Sequence, residues 1–107
     1  MTTKLSENRQ HFGPWLVGRT INLHDVSDDA YEIFARIAEV KLEGDNLIIT
    51  TEDTRRRWWR ETGSEPIDRN EFSDTLEFVE EVKIEANGTI VLMPWSGYDY
   101  VYIRPQP

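Results

Sequence analysis

The chain has 107 residues, a formal net charge of −8 at pH 7, a pI near 4.7 and no cysteine. One domain fits that length, and the lack of cysteine excludes disulfides, thiolate metal sites and cysteine nucleophiles and suits a reducing compartment. The acidity argues against a nucleic-acid partner, because affinity for a phosphate backbone comes from Lys and Arg.

Residues 1–10, MTTKLSENRQ, contain no hydrophobic signal region and read as a flexible, solvated lead-in to a single compact β-rich domain over 11–107. No apolar run approaches the roughly 20 residues of a membrane span. A cytoplasmic protein with no membrane partner is the expectation.

Residues 18–23 read as an opening strand after Gly13-Pro14. The next segment, 27–37, supports two readings. As a helix, Ser27 would cap, Asp28 and Asp29 would favour the positive end of the dipole, and Ala30, Ile33, Phe34 and Ile37 would share a face. As a strand, Phe34, Ala38, Val40 and Leu42 run into the alternation of the succeeding hairpin, with no helix stop signal between. The strand is preferred, long and bent. The fold class is therefore mainly β, the alternative being α+β with one short helix near 28–38.

Two hairpins are expected, at 39–50 and 81–92. In the first, Val40 and Leu42 precede a Gly44-Asp45-Asn46 turn and a strand from Leu47. In the second, Val82 and Ile84 alternate with charged residues before Asn87-Gly88, a pair suited to a type I′ turn. Glu39-Val40-Lys41-Leu42-Glu43 and Glu81-Val82-Lys83-Ile84-Glu85 differ at a single position, through either convergence or duplication. With a closing strand at 98–103 the total is about six antiparallel strands, curled into a small barrel or a sandwich.

Between the hairpins lies TRRRWWRE, 54–61, a basic and aromatic stripe in an acidic chain. A period of two sets Arg56, Trp58 and Arg60 on one face and Arg55, Arg57 and Trp59 on the other. One reading is a charged edge strand with one indole packed inward and the other covered by guanidinium groups. The other is a contact surface, because Trp, Tyr and Arg dominate interface hot spots. In the closing strand Tyr98, Tyr100 and Tyr102 share one face and Val101 and Ile103 the other, with Trp95 at the rim. If the aliphatic residues are core, the phenols form a ladder facing outward. Beside an unpaired strand edge, such a ladder would also template a homodimer.

Catalysis finds little support. His11 falls in the lead-in, His24 beside Asp25 has no sequence-local nucleophile, and the spacing of Asp25, Asp28 and Asp29 matches no calcium loop. No cofactor or metal is expected. The expectation is a small acidic, non-enzymatic accessory or interaction protein of inhibitor or immunity type. It would contact a protein partner through Arg55, Arg56, Arg57, Trp58, Trp59, Arg60, Trp95, Tyr98, Tyr100 and Tyr102. The alternative is a small-ligand barrel whose aromatic-lined pocket uses an arginine to anchor an anionic group. A convex aromatic patch would favour the first and an enclosed apolar cavity the second, whereas His24 or a carboxylate within such a cavity would suit an enzyme.

Overall fold

Period-two alternation dominates the chain, and the computed structural model, which describes residues 2–25, 31–76, 79–94 and 99–106, is accordingly built of strands. They are β1 (Thr2–Thr3), β2 (Thr20–Asp25), β3 (Tyr31–Glu43), β4 (Asn46–Trp58), β5 (Glu65–Pro66), β6 (Glu71–Thr75), β7 (Val79–Ile84), β8 (Ile90–Pro94) and β9 (Asp99–Ile103). The helical pieces among the described residues are three 3-10 turns, at Leu5–Glu7, Arg9–His11 and Pro14–Leu16. All the strands join one antiparallel sheet in the order β1-β7-β8-β9-β2-β3-β4-β5, with β6 on another stretch of β4.

The ambiguous segment is a strand from Tyr31 onward; the helix start considered at residues 27–30 lies outside the described residues. Ile33, Ala35 and Ile37 are buried, and Val40 and Leu42 pack on the same core. The shift in parity comes from an extra residue, Ala38, between the pairs Ile37↔Thr51 and Glu39↔Thr50. A second irregularity lies opposite Ala35, where Asp53 and Thr54 occupy the space of one residue and Asp53 takes φ 54°. Aspartate tolerates this left-handed conformation better than most residues. Such bulges bend a strand and reverse which of its side chains face inward. Leu47, Ile49 and Thr51 face the core before the bulge, and Thr54 does so after it. Without that reversal TRRRWWRE would present its other face.

Both hairpins form. Glu43 pairs with Asn46 around Gly44-Asp45, with Gly44 at φ 61°, the type II′ pattern of a positive φ at the first central residue only. The second turn departs from the type I′ expectation. Glu85 N–H donates to Thr89 O at 2.9 Å, Gly88 N–H to Glu85 O at 2.9 Å, and Gly88 alone of the loop has positive φ, 93°. Asn87 instead turns its side-chain oxygen to accept the Thr89 N–H at 2.9 Å. The result is a three-residue Ala86-Asn87-Gly88 loop, stabilised by an Asx-type bond that a two-residue loop would not allow.

The expected barrel is not reached: no pairing among the described residues joins β1 or β7 to β5 or β6, so the sheet stays open. It is nevertheless strongly curled. β6 and β7 lie toward opposite ends of the sheet, yet Thr75 and Val79 are four Cα steps apart, a span of at most about 15 Å. The single core results from that curl, with Phe72 of β6 and Val82 of β7 in one cluster with Ile21, Ile37, Leu47, Ile49, Leu92, Val101 and Ile103.

The N-terminal segment differs from the solvated lead-in expected of it. β1 pairs with β7, Asn8 donates through Nδ2 to Lys4 O at 2.7 Å and also to Thr3 Oγ1, and Leu5 is fully buried beside Phe12 and Leu16 in the core cluster. A strongly curled but open sheet leaves apolar surface that needs covering, and these three residues supply it.

Candidate recognition face

The side of the sheet turned away from the core carries the residues of interest. β2 pairs with β3 so that His24 stands opposite Glu32 and Asn22 opposite Phe34, and on its other side β2 sets His24 against Tyr100 and Asn22 against Tyr102. β3 pairs Glu32 with Arg57 of β4. Alternation then gathers Asn22, His24, Glu32, Arg57, Tyr100 and Tyr102 on one outer face.

At its centre is the Glu32 carboxylate. Oε1 accepts from Arg57 Nη2 at 2.6 Å, and Oε2 accepts from Asn22 Nδ2 at 3.2 Å. His24 Nε2 lies 3.3 Å from Oε2, close enough for an ion-pair contact but outside hydrogen-bond geometry, so this shielded nitrogen has no hydrogen bond among the described residues. The cluster is unevenly covered: the Glu32 side chain is 16% exposed and that of Arg57 51%.

Aromatic rings surround it. The His24 ring lies 4.9 Å from that of Tyr102, and the indole of Trp59 meets it edge-on at 5.6 Å. Tyr100 and Tyr102 are 6.4 Å apart, and the Arg104 guanidinium covers Tyr102 at 5.0 Å. Trp59 is 57% exposed and Tyr100 is also exposed. A cavity of about 230 Å³ opens here, lined among the described residues by His24, Glu32, Arg57 and Trp59.

Of the site residues expected from sequence, Arg57, Trp59, Tyr100 and Tyr102 come together. Arg55 has the parity of this face but turns to Ser64, donating from Nε to Oγ at 2.6 Å and from Nη2 to the carbonyl at 2.9 Å. Arg56 and Trp58 lie on the opposite face. There the Arg56 guanidinium sits 4.8 Å from the Trp58 ring and 5.6 Å from that of Tyr31, and it donates to Glu65 Oε1 at 2.6 Å. Neither indole enters the core, which corrects the expectation of one inward tryptophan: Trp58 is half-buried beneath Arg56. Arg60 is exposed in the turn after β4, and Trp95 and Tyr98 lie outside the described residues. TRRRWWRE is not an edge along its whole length either, because β5 pairs with Arg55 and Arg56.

Two further corrections concern the tyrosine strand and the residues around it. β9 is interior, paired with β8 and with β2, so Val101–Ile103 offer no free backbone edge for a second copy. Asn22 and Glu32 do not stand out in the sequence, and His24 stands out there only as a base without a partner. All three lie on β2 and β3, and no turn motif in the sequence between those strands announces their register.

No family model, curated protein or solved structure matches this chain.

Proposed function

We propose that the protein is a small acidic, non-enzymatic interaction protein of the inhibitor or immunity type, which recognises a basic protein partner through the outer face around Trp59. The observation that carries this reading is the placement of that indole. An exposed tryptophan stands beside His24 at the rim of a cavity, on the face that also carries Tyr100 and Tyr102, where further burial is favourable by roughly 25 cal/mol per Å² of apolar area. Tryptophan and tyrosine anchors that become desolvated on contact are the usual centre of interface energy. The net charge of −8 steers a basic partner toward the molecule.

The reading as a site for a small anionic ligand draws less support, because the guanidinium groups of Arg55, Arg56 and Arg57 already have internal partners in Ser64, Glu65 and Glu32. Catalysis is likewise less favoured. His24 and a carboxylate do share the cavity, but both oxygens of Glu32 already accept hydrogen bonds from Arg57 and Asn22, a poor state for a proton acceptor. The reading retains a cytoplasmic setting and needs neither nucleic acid nor membrane. Because β9 is paired on both sides, a homodimer through the aromatic face would rest on its side chains and bring two copies of like charge together.

Calorimetric titration of a lysine- and arginine-rich peptide, and of an acidic peptide of equal length, into wild type and Trp59→Ala tests this. The expected result is binding of the basic peptide only, weaker at higher salt and lost in the variant. Preference for the acidic peptide, or equal binding by both proteins, refutes it.

A further inference from the structure

The Glu32–Arg57 pair is asymmetric in a way that an ordinary surface ion pair is not. Glu32 is held by Asn22, crowded by His24 and largely covered, whereas Arg57 is half-exposed and, among the described residues, attached through Nη2 alone. The carboxylate is fixed, and the guanidinium is free to leave. A half-exposed guanidinium can exchange its carboxylate for water, while the largely covered carboxylate needs another cation in its place.

We infer that the cavity beside Trp59 is a receptor site for an arginine side chain of the basic partner, and that Arg57 occupies its carboxylate in the free protein as an internal stand-in. This rests on the proposed interaction with a basic protein and specifies its chemistry. The incoming guanidinium takes the Oε1 of Glu32 that Arg57 vacates and lies against the Trp59 indole. The cavity, about 230 Å³, offers space beside both groups. Arginine is favoured over lysine because a flat guanidinium can donate to Oε1 while its face lies against an aromatic ring, which an ammonium group does less well. Arg57 already places one guanidinium nitrogen on this oxygen at 2.6 Å. Displaced, its own guanidinium moves into solvent, so the exchange leaves no buried charge unpaired.

An internal competitor lowers apparent affinity by the fraction of time the site is open. Removing it should therefore strengthen binding, by about tenfold if the pair is open about one tenth of the time. The test is NMR titration of the full chain with N-acetyl-arginine amide, N-acetyl-lysine amide and N-acetyl-glutamate amide, following the Trp59 indole N–H as assigned by Trp59→Phe. Arg57→Gln is expected to bind the arginine probe more tightly than wild type and the lysine probe less well than the arginine one. Glu32→Gln is expected to lose the arginine probe, and a thermal melt checks that it remains folded. If Arg57→Gln gains nothing, or if the glutamate probe binds wild type and depends on Arg57, the inference is overturned. A basic peptide that still binds wild type and not Trp59→Ala would then leave the interaction reading standing without it.

Discussion

Leu5→Ala is a direct measure of whether residues 2–10 belong to the fold. Leu5 is fully buried in the core cluster, and its segment is fastened by the pairing of Thr2 with Lys83 and Thr3 with Val82 and by the Asn8 side chain on Lys4 O. Truncating a buried leucine to alanine costs about 2–5 kcal/mol, the spread reflecting how far the surroundings collapse into the space. A 3-10 turn next to a two-residue strand has fewer constraints than a central strand, so we expect the lower part of that range, about 2–3 kcal/mol. For a chain of this size that is a fall in Tm of about 10 °C or more, and a large share of a total stability of order 5–15 kcal/mol. Urea unfolding followed by far-UV circular dichroism reads it, with the m-value expected to stay unchanged. A loss below about 0.5 kcal/mol would mean that the segment does not contribute to the core, and would refute the packing argument.

The two tryptophans should separate in thermal melts: Trp58→Ala is expected to cost about 1–2 kcal/mol through lost contact with Arg56 and Tyr31, and Trp59→Ala less than about 1 kcal/mol. A core-sized loss for either would place that indole inside. Burial raises the Asp74 carboxyl above its ordinary value, partly opposed by the Thr75 N–H it accepts. The folded protein therefore holds that proton more tightly than the unfolded chain, and the stability this contributes is full at low pH and lost as pH rises through the raised value. Asp74→Asn should accordingly melt higher than wild type at pH 7, with the gap closing as pH falls through the raised value toward about 4. Gly88→Ala should cost about 1–2 kcal/mol in urea, because φ 93° strains an L-residue while the added Cβ meets only Pro105 Cβ at 3.7 Å.

The hairpins and the mainly β class are legible in the chain because alternation and glycine-containing turns are local signals. Leu42 and Leu47 flank Gly44-Asp45, and Ile84 and Ile90 flank Asn87-Gly88, so pairing is dictated by neighbours in sequence. Counting in twos within TRRRWWRE groups Arg57 with Trp59, but which of the two faces is turned inward depends on the bulge at Asp53 and Thr54. Nothing in TEDTRR marks that extra residue. The central cluster is less legible still. Asn22, His24 and Glu32 are ordinary outward positions on their strands, and they become a site only when two pairings, β2 with β3 and β3 with β4, bring Arg57 across from Glu32. Leu5 is hidden for a related reason: one leucine among polar residues has no periodicity to announce it.

The middle of the sheet, where β9 lies against β2, joins residues that are far apart along the chain, Ile21 to Ile103. The hairpins on either side can close over a few residues each, but this seam must wait for a loop of about 80 residues to find its ends, and that search is what makes non-local β topologies slow. The implied order of assembly is two early half-sheets, β2 to β6 and β7 to β9, and a late junction between them. His24 and Tyr102, one from each half, come together only at that junction. Tyr100 and Tyr102 thus join the candidate recognition face in the last step of folding, whereas Trp59 meets His24 within the first half-sheet, so stopped-flow refolding should show the fluorescence change that reports on Trp59 arriving with the formation of strands rather than with the slow phase.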